Sequence, residues 1–447
     1  MKHASRVLWA AALCAGLGSC SSESASSKPD VGVAEPPDAT DSVPADASEA
    51  PDAQIEPADV GQVGDAGSGE RCGDHRCGST ETAAQCPVDC GVRALCAGEV
   101  HTCAALNDDT VRCWGGREGH RMGGAVQLTR PTEVPGLTSV VELSCGAAHT
   151  CARTRDGAVF CWGRSGYGEA GRVATEVFVP EQVALPGEAS GLASGASHTC
   201  AQVSGSEVAC WGQGSRGQLG DDSYAPRRLA PTSVRLERGR VVALAAGHHH
   251  TCLEHSANAT PLMRNLACFG LNDKGQLGVS DTTWRLKRTG VHFTAPAALA
   301  AGRVHTCAQQ SDSTTNKLFC WGDNGSGQLG IARVTRTLTP REVVGFSPGA
   351  SLTAGARHTC ATDAQGAAWC WGDNRSGQLG TGTTTAEPTP AQVKGLARGP
   401  QLVAGWNHTC ALLTDSTVRC WGDNSQGQMG SPRAASPQLS PVEPEGL

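Results

Sequence analysis

Residues 355–380 read GARHTCATDAQGAAWCWGDNRSGQLG, and this stretch decides the fold. It holds His358-Thr359-Cys360, then Cys370-Trp371-Gly372, then the turn Gly377-Gln378-Leu379-Gly380. His-Thr-Cys recurs at 101–103, 149–151, 198–200, 250–252, 305–307, 358–360 and 408–410, at spacings of 48 to 55 residues. Each copy leads to Cys-Trp-Gly, or to Cys268-Phe269-Gly270 in the fourth. A glycine turn comes next, as Gly-Gln-Leu-Gly at 217–220, 275–278, 327–330 and 377–380 and Gly427-Gln428-Met429-Gly430 in the seventh copy. Most copies then place Pro-x-x-Val, as in Pro131–Val134, Pro180–Val183 and Pro340–Val343.

Stretches such as Ala158-Val159-Phe160-Cys161-Trp162 are rich in β-formers and bounded by Gly or Asp turns. A period of about 50 residues holding three or four short strands is the pattern of a β-propeller blade. With 57 glycines and 24 prolines in 447 residues, helical bundles and helical solenoids are excluded. The G-x-x-H-T-x-A … V-x-x-W-G … G-Q-L-G pattern resembles the regulator of chromosome condensation repeat. That resemblance implies a seven-bladed propeller over about residues 92–447. The expected fold is therefore all-β: a seven-bladed β-propeller with intrablade disulfides, preceded by a disordered tether and a small Cys-rich module. No Pro-x-x-Val segment precedes the first copy, while Pro437–Val442 comes after the seventh. The expectation is that this last strand completes the first-copy blade and so closes the ring.

The chain has 22 cysteines. In five copies the two repeat cysteines lie ten residues apart across a hairpin with a polar midpoint, close enough to bridge. Copies four and five stretch the hairpin by polar insertions and still keep both cysteines. Seven pairs result: Cys103–Cys113, Cys151–Cys161, Cys200–Cys210, Cys252–Cys268, Cys307–Cys320, Cys360–Cys370 and Cys410–Cys420. Cys96 and Cys145 remain at near-equivalent places in copies one and two, which suggests a bridge between neighbours. Cys72, Cys77, Cys86 and Cys90 make up the small module at 69–91; four cysteines allow three pairings, and spacing does not choose among them.

Seven His-x-Cys pairs on separate blades cannot converge on one ion, and bridged cysteines offer no thiolate, so no metal or cofactor is expected. The resemblance implies a structural histidine, bonded within its blade. His248-His249-His250 reads the same way, because neighbouring strand residues point to opposite faces. Gly212–Gly217 fits G-x-G-x-x-G but opens no helix. Asp323-Asn324-Gly325-Ser326-Gly327 recurs at Asp373 and Asp423 as a blade turn, which argues against a calcium loop.

The N-terminal residues carry Lys2 and Arg6, then the apolar run Val7–Leu17, which reads as an export signal over 1–19. Leu17-Gly18-Ser19-Cys20 resembles the bacterial lipoprotein signal, implying lipid at Cys20. Ser21 behind it, rather than Asp, favours the outer membrane by the sorting rule for such proteins. An outer-membrane or cell-surface location is therefore expected, with a periplasmic or secreted form as the alternative. Residues 20–68 hold eleven acids against Lys28 alone, in an Ala/Asp/Pro composition that buries too little to fold. Without this segment the chain is nearly neutral, so nucleic acid is not an expected partner.

Residues shared by all copies build the ring, so function belongs where the copies differ. The loops after the glycine turns in copies three to five carry Tyr224, Arg227 and Arg228, then Trp284, Arg285, Lys287 and Arg288, then Arg333 and Arg336. On neighbouring blades these would form a basic arc with two aromatic anchors, the residue types that dominate binding. The expected function is non-enzymatic: a monomeric, lipid-anchored envelope scaffold for a protein or glycan partner, an acidic one if the arc is used. The resemblance also implies an alternative, nucleotide exchange on a small GTPase as in the nuclear members of the family. A lyase or hydrolase built on a propeller is a third reading.

Overall fold

The computed structural model describes Cys86 and residues 90–447, apart from 117–127, 204–205, 236–238, 257–263 and 313–314. The signal, the tether and most of the Cys-rich module lie outside the described residues. Cys86 and Cys90 are both buried and disulfide-bonded.

Among the described residues, twenty-eight strands form seven four-stranded antiparallel sheets. The first blade is β1 (Val92–Ala97), β2 (His101–Leu106), β3 (Val111–Gly115) and β4 (Leu128–Glu133), hydrogen-bonded in that order. The others repeat it as β5–β8 over 140–182, β9–β12 over 189–235, β13–β16 over 240–294, β17–β20 over 296–342, β21–β24 over 348–392 and β25–β28 over 401–442. In each blade the first strand lies innermost, the second carries His-Thr-Cys, and the third carries Cys-Trp-Gly or its Phe variant. The fourth is the outer edge, where a proline's missing N–H costs no ladder bond. The valine after it is buried, as at Val134, Val183 and Val343.

The blades are therefore not shared, and the expected closure is corrected. β28 (Gln438–Val442) pairs with β27 (Val418–Gly422) of the seventh blade, while the first blade uses its own β4. The strand ahead of each His-Thr-Cys already begins the blade, which leaves nothing for the last strand to complete. The tail beyond β28 crosses the seam instead. Glu445 pairs with Arg130 at 3.0 Å, Arg112 donates to the Gly446 carbonyl, and Leu447 packs with Val92, Leu95 and Trp114.

The hairpin cysteines are direct register partners, Cys103 opposite Cys113 and Cys252 opposite Cys268 even across the longer loop. All seven intrablade disulfides form, and Cys96–Cys145 joins the first two blades.

Candidate functional site

The repeated residues are spent on the seams between blades. Each histidine places Nε2 on the threonine of the next blade: His101 on Thr150, His149 on Thr199, His198 on Thr251, His250 on Thr306, His305 on Thr359 and His358 on Thr409, at 2.8–2.9 Å. His408 reaches Thr102 at 3.0 Å and closes the circle. These bonds cross the seam, which corrects the expectation of a histidine bonded within its own blade. Six of the threonines donate their own proton to a carbonyl in the glycine turn of the preceding blade, as Thr359 does to Gln328. Each such hydroxyl is thus left to accept from histidine, which calls for a proton on Nε2.

The glycine turn completes the seam. Trp371 Nε1 donates to the Gln328 carbonyl, and Trp321, Trp421 and Trp114 repeat the contact on their own neighbours. Gly330, at φ +70°, lies against the Trp371 ring, where a Cβ would come within 2.9 Å of the indole nitrogen. Asn324 caps its turn, accepting from Leu329 N and donating to the Ile331 and Val334 carbonyls. Its side chain is thus engaged by the turn itself.

With the shared residues buried, a different set gathers where the inner strands meet around the axis. A channel cavity of about 90 Å³ runs between them, walled by the glycine of every Gly-x-x-His segment. The position after that glycine is Ala147, Ala196 and Ala356 in three blades, but His248, Arg303 and Trp406 in three others. Trp406 of the seventh blade reaches His248 of the fourth at 5.3 Å between rings, and the Arg303 guanidinium lies 5.4 Å from the indole centroid. This is cation–π geometry. Next to them His249 stacks edge-on to His248, and Arg216 lies 5.6 Å over Trp284. Burial and the nearby Arg303 and Arg216 push His248 down to about 4. His249 is lowered as well, by burial first and then by His248 and Arg216. Both rings are neutral at pH 7, so the mouth's positive charge resides on arginine. Its chemistry is that of a docking surface: indole faces and guanidinium groups on a rigid ring.

The loop residues expected to form a basic arc divide into groups. Tyr224 and Trp284 are exposed, and the blade-three loop meets the blade-four edge through Asp222 N to the Leu286 carbonyl. That seam brings the blade-three loop alongside Arg285, Leu286 and Lys287, whereas Arg227 donates to the Gly166 carbonyl of the blade-two turn. Their charge, however, is largely answered locally. Arg228 pairs with Asp221 at 2.7 Å, Arg285 with Asp281 at 2.6 Å and Lys287 with Asp222 at 3.7 Å. Arg288 lies toward His255, whose pKa it helps lower. Arg333 lines a separate hollow with Asp373 and Arg375, and Arg336 sits opposite Asp323 in the fifth blade. Arg216, His248, Arg303 and Trp406 were missed. For His248, Arg303 and Trp406 the signal was a bulky residue after the repeated glycine where three other copies have alanine, while Arg216 lies in the third-copy glycine turn and carried no such mark.

A model of the RCC1-like domain family matches residues 58–398, and one of the regulator of chromosome condensation (RCC1) repeat matches 401–428. The X-linked retinitis pigmentosa GTPase regulator of Mus musculus is 32% identical over 125 residues, covering 27% of this chain and 12% of that protein. Its Homo sapiens counterpart is 32% identical over 118 residues, covering 25% and 11%. The chain thus spans only a small part of the length of these curated relatives. Among solved structures, Prp20p of Saccharomyces cerevisiae, described with its binding properties to Gsp1p and histones, has a TM-score of 0.67. It is 21% identical, over 75% of this chain and 86% of that one. Human WBSCR16 has a TM-score of 0.63 at 20% identity, over 74% and 88%. At these identities the two structures establish the fold.

These relatives are eukaryotic proteins, GTPase regulators among them, and they correct several expectations. The bacterial lipoprotein reading is overturned, with its lipid at Cys20, its outer-membrane or cell-surface location, its glycan partner and its envelope-scaffold role. Those expectations rested on Leu17–Cys20 with the apolar run ahead of it and the acidic segment behind it, all outside the described residues. The repeats span most of the chain and outweigh it. The relatives carry the name of GTPase regulators, which accords with the expected non-enzymatic character.

Proposed function

The chain belongs to the RCC1-like domain family, and from that premise we propose that it is a non-enzymatic regulator that binds a protein of the small-GTPase class through the channel-mouth face. The class comes from the GTPase regulators it resembles. The observation that carries the choice of face is the gathering of Arg216, His248, Trp284, Arg303 and Trp406 at one mouth while the shared residues are sealed in the seams. Arg and Trp are the side chains that most often dominate a protein interface. Tyr224, Arg227 and Arg228 would extend the contact outward along the blade-three loop.

A regulator of this kind acts by preferring one state of its partner, and only a difference in affinity between states can shift the equilibrium. Titrating the full chain against a panel of small GTPases, nucleotide-free and GDP-loaded, tests this. One member should bind the ring at least about tenfold more tightly when nucleotide-free, a coupling of about 1.4 kcal/mol, and should release GDP faster in its presence. Arg303→Ala and Trp406→Ala should each weaken binding at least about tenfold, while Arg288→Ala should leave it unchanged. Absence of binding to every GTPase at tens of micromolar would sink the reading, and equal loss with Arg288→Ala would move the face.

A further inference from the structure

The sixteen described cysteines of the ring fall into two kinds. The fourteen in the hairpins have no exposed surface at all. The Cys96–Cys145 bridge differs in place and access. It joins the innermost strands β1 and β5 (Val140–Cys145) across a seam, and Cys145 is half-buried and lines the central channel. The channel wall next to it in the first three blades is small, Ala97, Gly98, Gly146 and Gly195 among its residues, while the bulky His248, Arg303 and Trp406 line the same channel from blades four, five and seven.

The seam does not depend on this bond. His101 to Thr150 crosses it at 2.9 Å, Glu99 N donates to the Ala147 carbonyl, and Arg93 Nε donates to the Val140 carbonyl at 2.7 Å. Between blades two and three the inner strands are joined by hydrogen bonds instead, Ser194 N to Ser144 Oγ and Ser194 Oγ to the Ser144 carbonyl. Opening Cys96–Cys145 therefore leaves a seam of the kind found elsewhere in the ring.

We infer that Cys96–Cys145 is a thiol–disulfide exchange site in the central channel, open to small thiols while the hairpin bridges stay closed. A small thiolate attacks Cys145 Sγ, the S–S bond breaks, and its electron pair goes to Cys96 Sγ, which takes a proton from water. A second thiolate attacks the outer sulfur of the mixed disulfide and releases the Cys145 thiolate. The pair is reduced, and the two small thiols leave as their disulfide. Thr150 Oγ1 lies 4.0 Å from Cys145 Sγ, a hydroxyl within reach of the thiolate formed there. Cys103 Sγ lies within 4.8 Å of both sulfurs, so the freed thiols sit beside a closed hairpin bridge.

This site is independent of the partner proposed above, and the native full chain suffices to test it. The chain is incubated with 2-mercaptoethanol, free thiols are trapped with iodoacetamide at intervals, and each cysteine is followed by peptide mass spectrometry. Cys96 and Cys145 should be trapped at least about tenfold faster than any hairpin cysteine, as their access differs. The near-ultraviolet circular dichroism of the buried tryptophans should stay unchanged, and a mixed disulfide on Cys145 should appear early. A bulky peptide thiol of the same pKa should exchange more slowly, since it cannot enter the channel. The inference fails if hairpin cysteines are trapped at the same rate or if trapping tracks loss of the tryptophan signal. It fails equally if the bulky thiol is as fast as the small one.

Discussion

At the scale of single residues, six of the seven threonines of the His-Thr-Cys triplets have two partners on two elements of the preceding blade. Thr359 donates to the Gln328 carbonyl at 2.8 Å and accepts from His305 Nε2 at 2.9 Å, with no exposure of its own. Valine has nearly the same shape and can do neither. Thr359→Val would leave a buried carbonyl and a buried imidazole N–H without partners, each costing about 1–3 kcal/mol. We expect a loss of about 2–4 kcal/mol in urea unfolding. Thr384→Val, on an exposed turn, should stay within about 0.5 kcal/mol of the parent. Equal stability of the two variants would mean that the seam does not rest on this hydroxyl. The glycine three residues before each histidine is as constrained. A Cβ on Gly355 would sit 2.2 Å from His358 Cε1 and 2.4 Å from the Gly405 carbonyl oxygen, so alanine there must displace a neighbouring blade.

Among the elements, the outer strand of the seventh blade and the short tail beyond it settle how the ring ends. β28 belongs to the seventh blade, yet the tail beyond it reaches the first through Glu445, Gly446 and Leu447. Glu445 takes both Arg130 and the Ser431 hydroxyl, and Leu447 is 7% exposed in a cluster with Val92, Leu95 and Trp114. Burying a leucine is worth about 1.5–3 kcal/mol. Deleting 443–447 should therefore lower the melting temperature by several degrees, and deleting 437–447 should lower it further by baring the edge of β27. A 443–447 deletion that melts within a degree of the parent would show the latch to be ornamental. Strand pairs, blade count and hairpin disulfides were legible in the sequence, because each leaves a local mark: alternating β-formers, a fixed period, two cysteines in register. The inner strand was harder to read, since segments such as Pro296–Ala301 are short and nearly featureless. The ring closure was misassigned for that reason. The channel mouth was illegible for another: Arg216, His248, Arg303 and Trp406 come from four blades, and only the closed ring brings them together.

Across the whole molecule, seven histidines sit in one circle of hydrogen bonds, none with any exposed surface. Burial is the leading cause that lowers six of their pKa values, His149, His198, His250 and His358 to about 3 and His305 and His408 to about 4, from 6.5. In the unfolded chain these side chains take up protons as the pH falls through 6.5; in the ring they do not until well below 5. The unfolded state thus binds more protons across that window, and stability must fall with pH there. Each histidine contributes a slope of up to about 1.4 kcal/mol per pH unit, fully felt only below 6.5. Two buried acids oppose this. Glu169 and Glu254 are raised by desolvation, so their contribution grows as the pH falls. Two carboxyls cannot offset six imidazoles. The hydrogen-bonded carboxylates Asp281 and Asp415 are lowered and lose their share only below the ordinary carboxylate range, a separate and more acid window. Urea unfolding at pH 7, 6 and 5 should therefore show a loss that steepens downward, with a slope at pH 5 corresponding to several protons taken up on unfolding. His358→Asn should remove about one proton from that slope while lowering stability at pH 7. A stability that stays flat from pH 7 to pH 5 would mean the imidazoles are already charged in the ring, and a charged imidazole has no place between a threonine hydroxyl and a glycine wall.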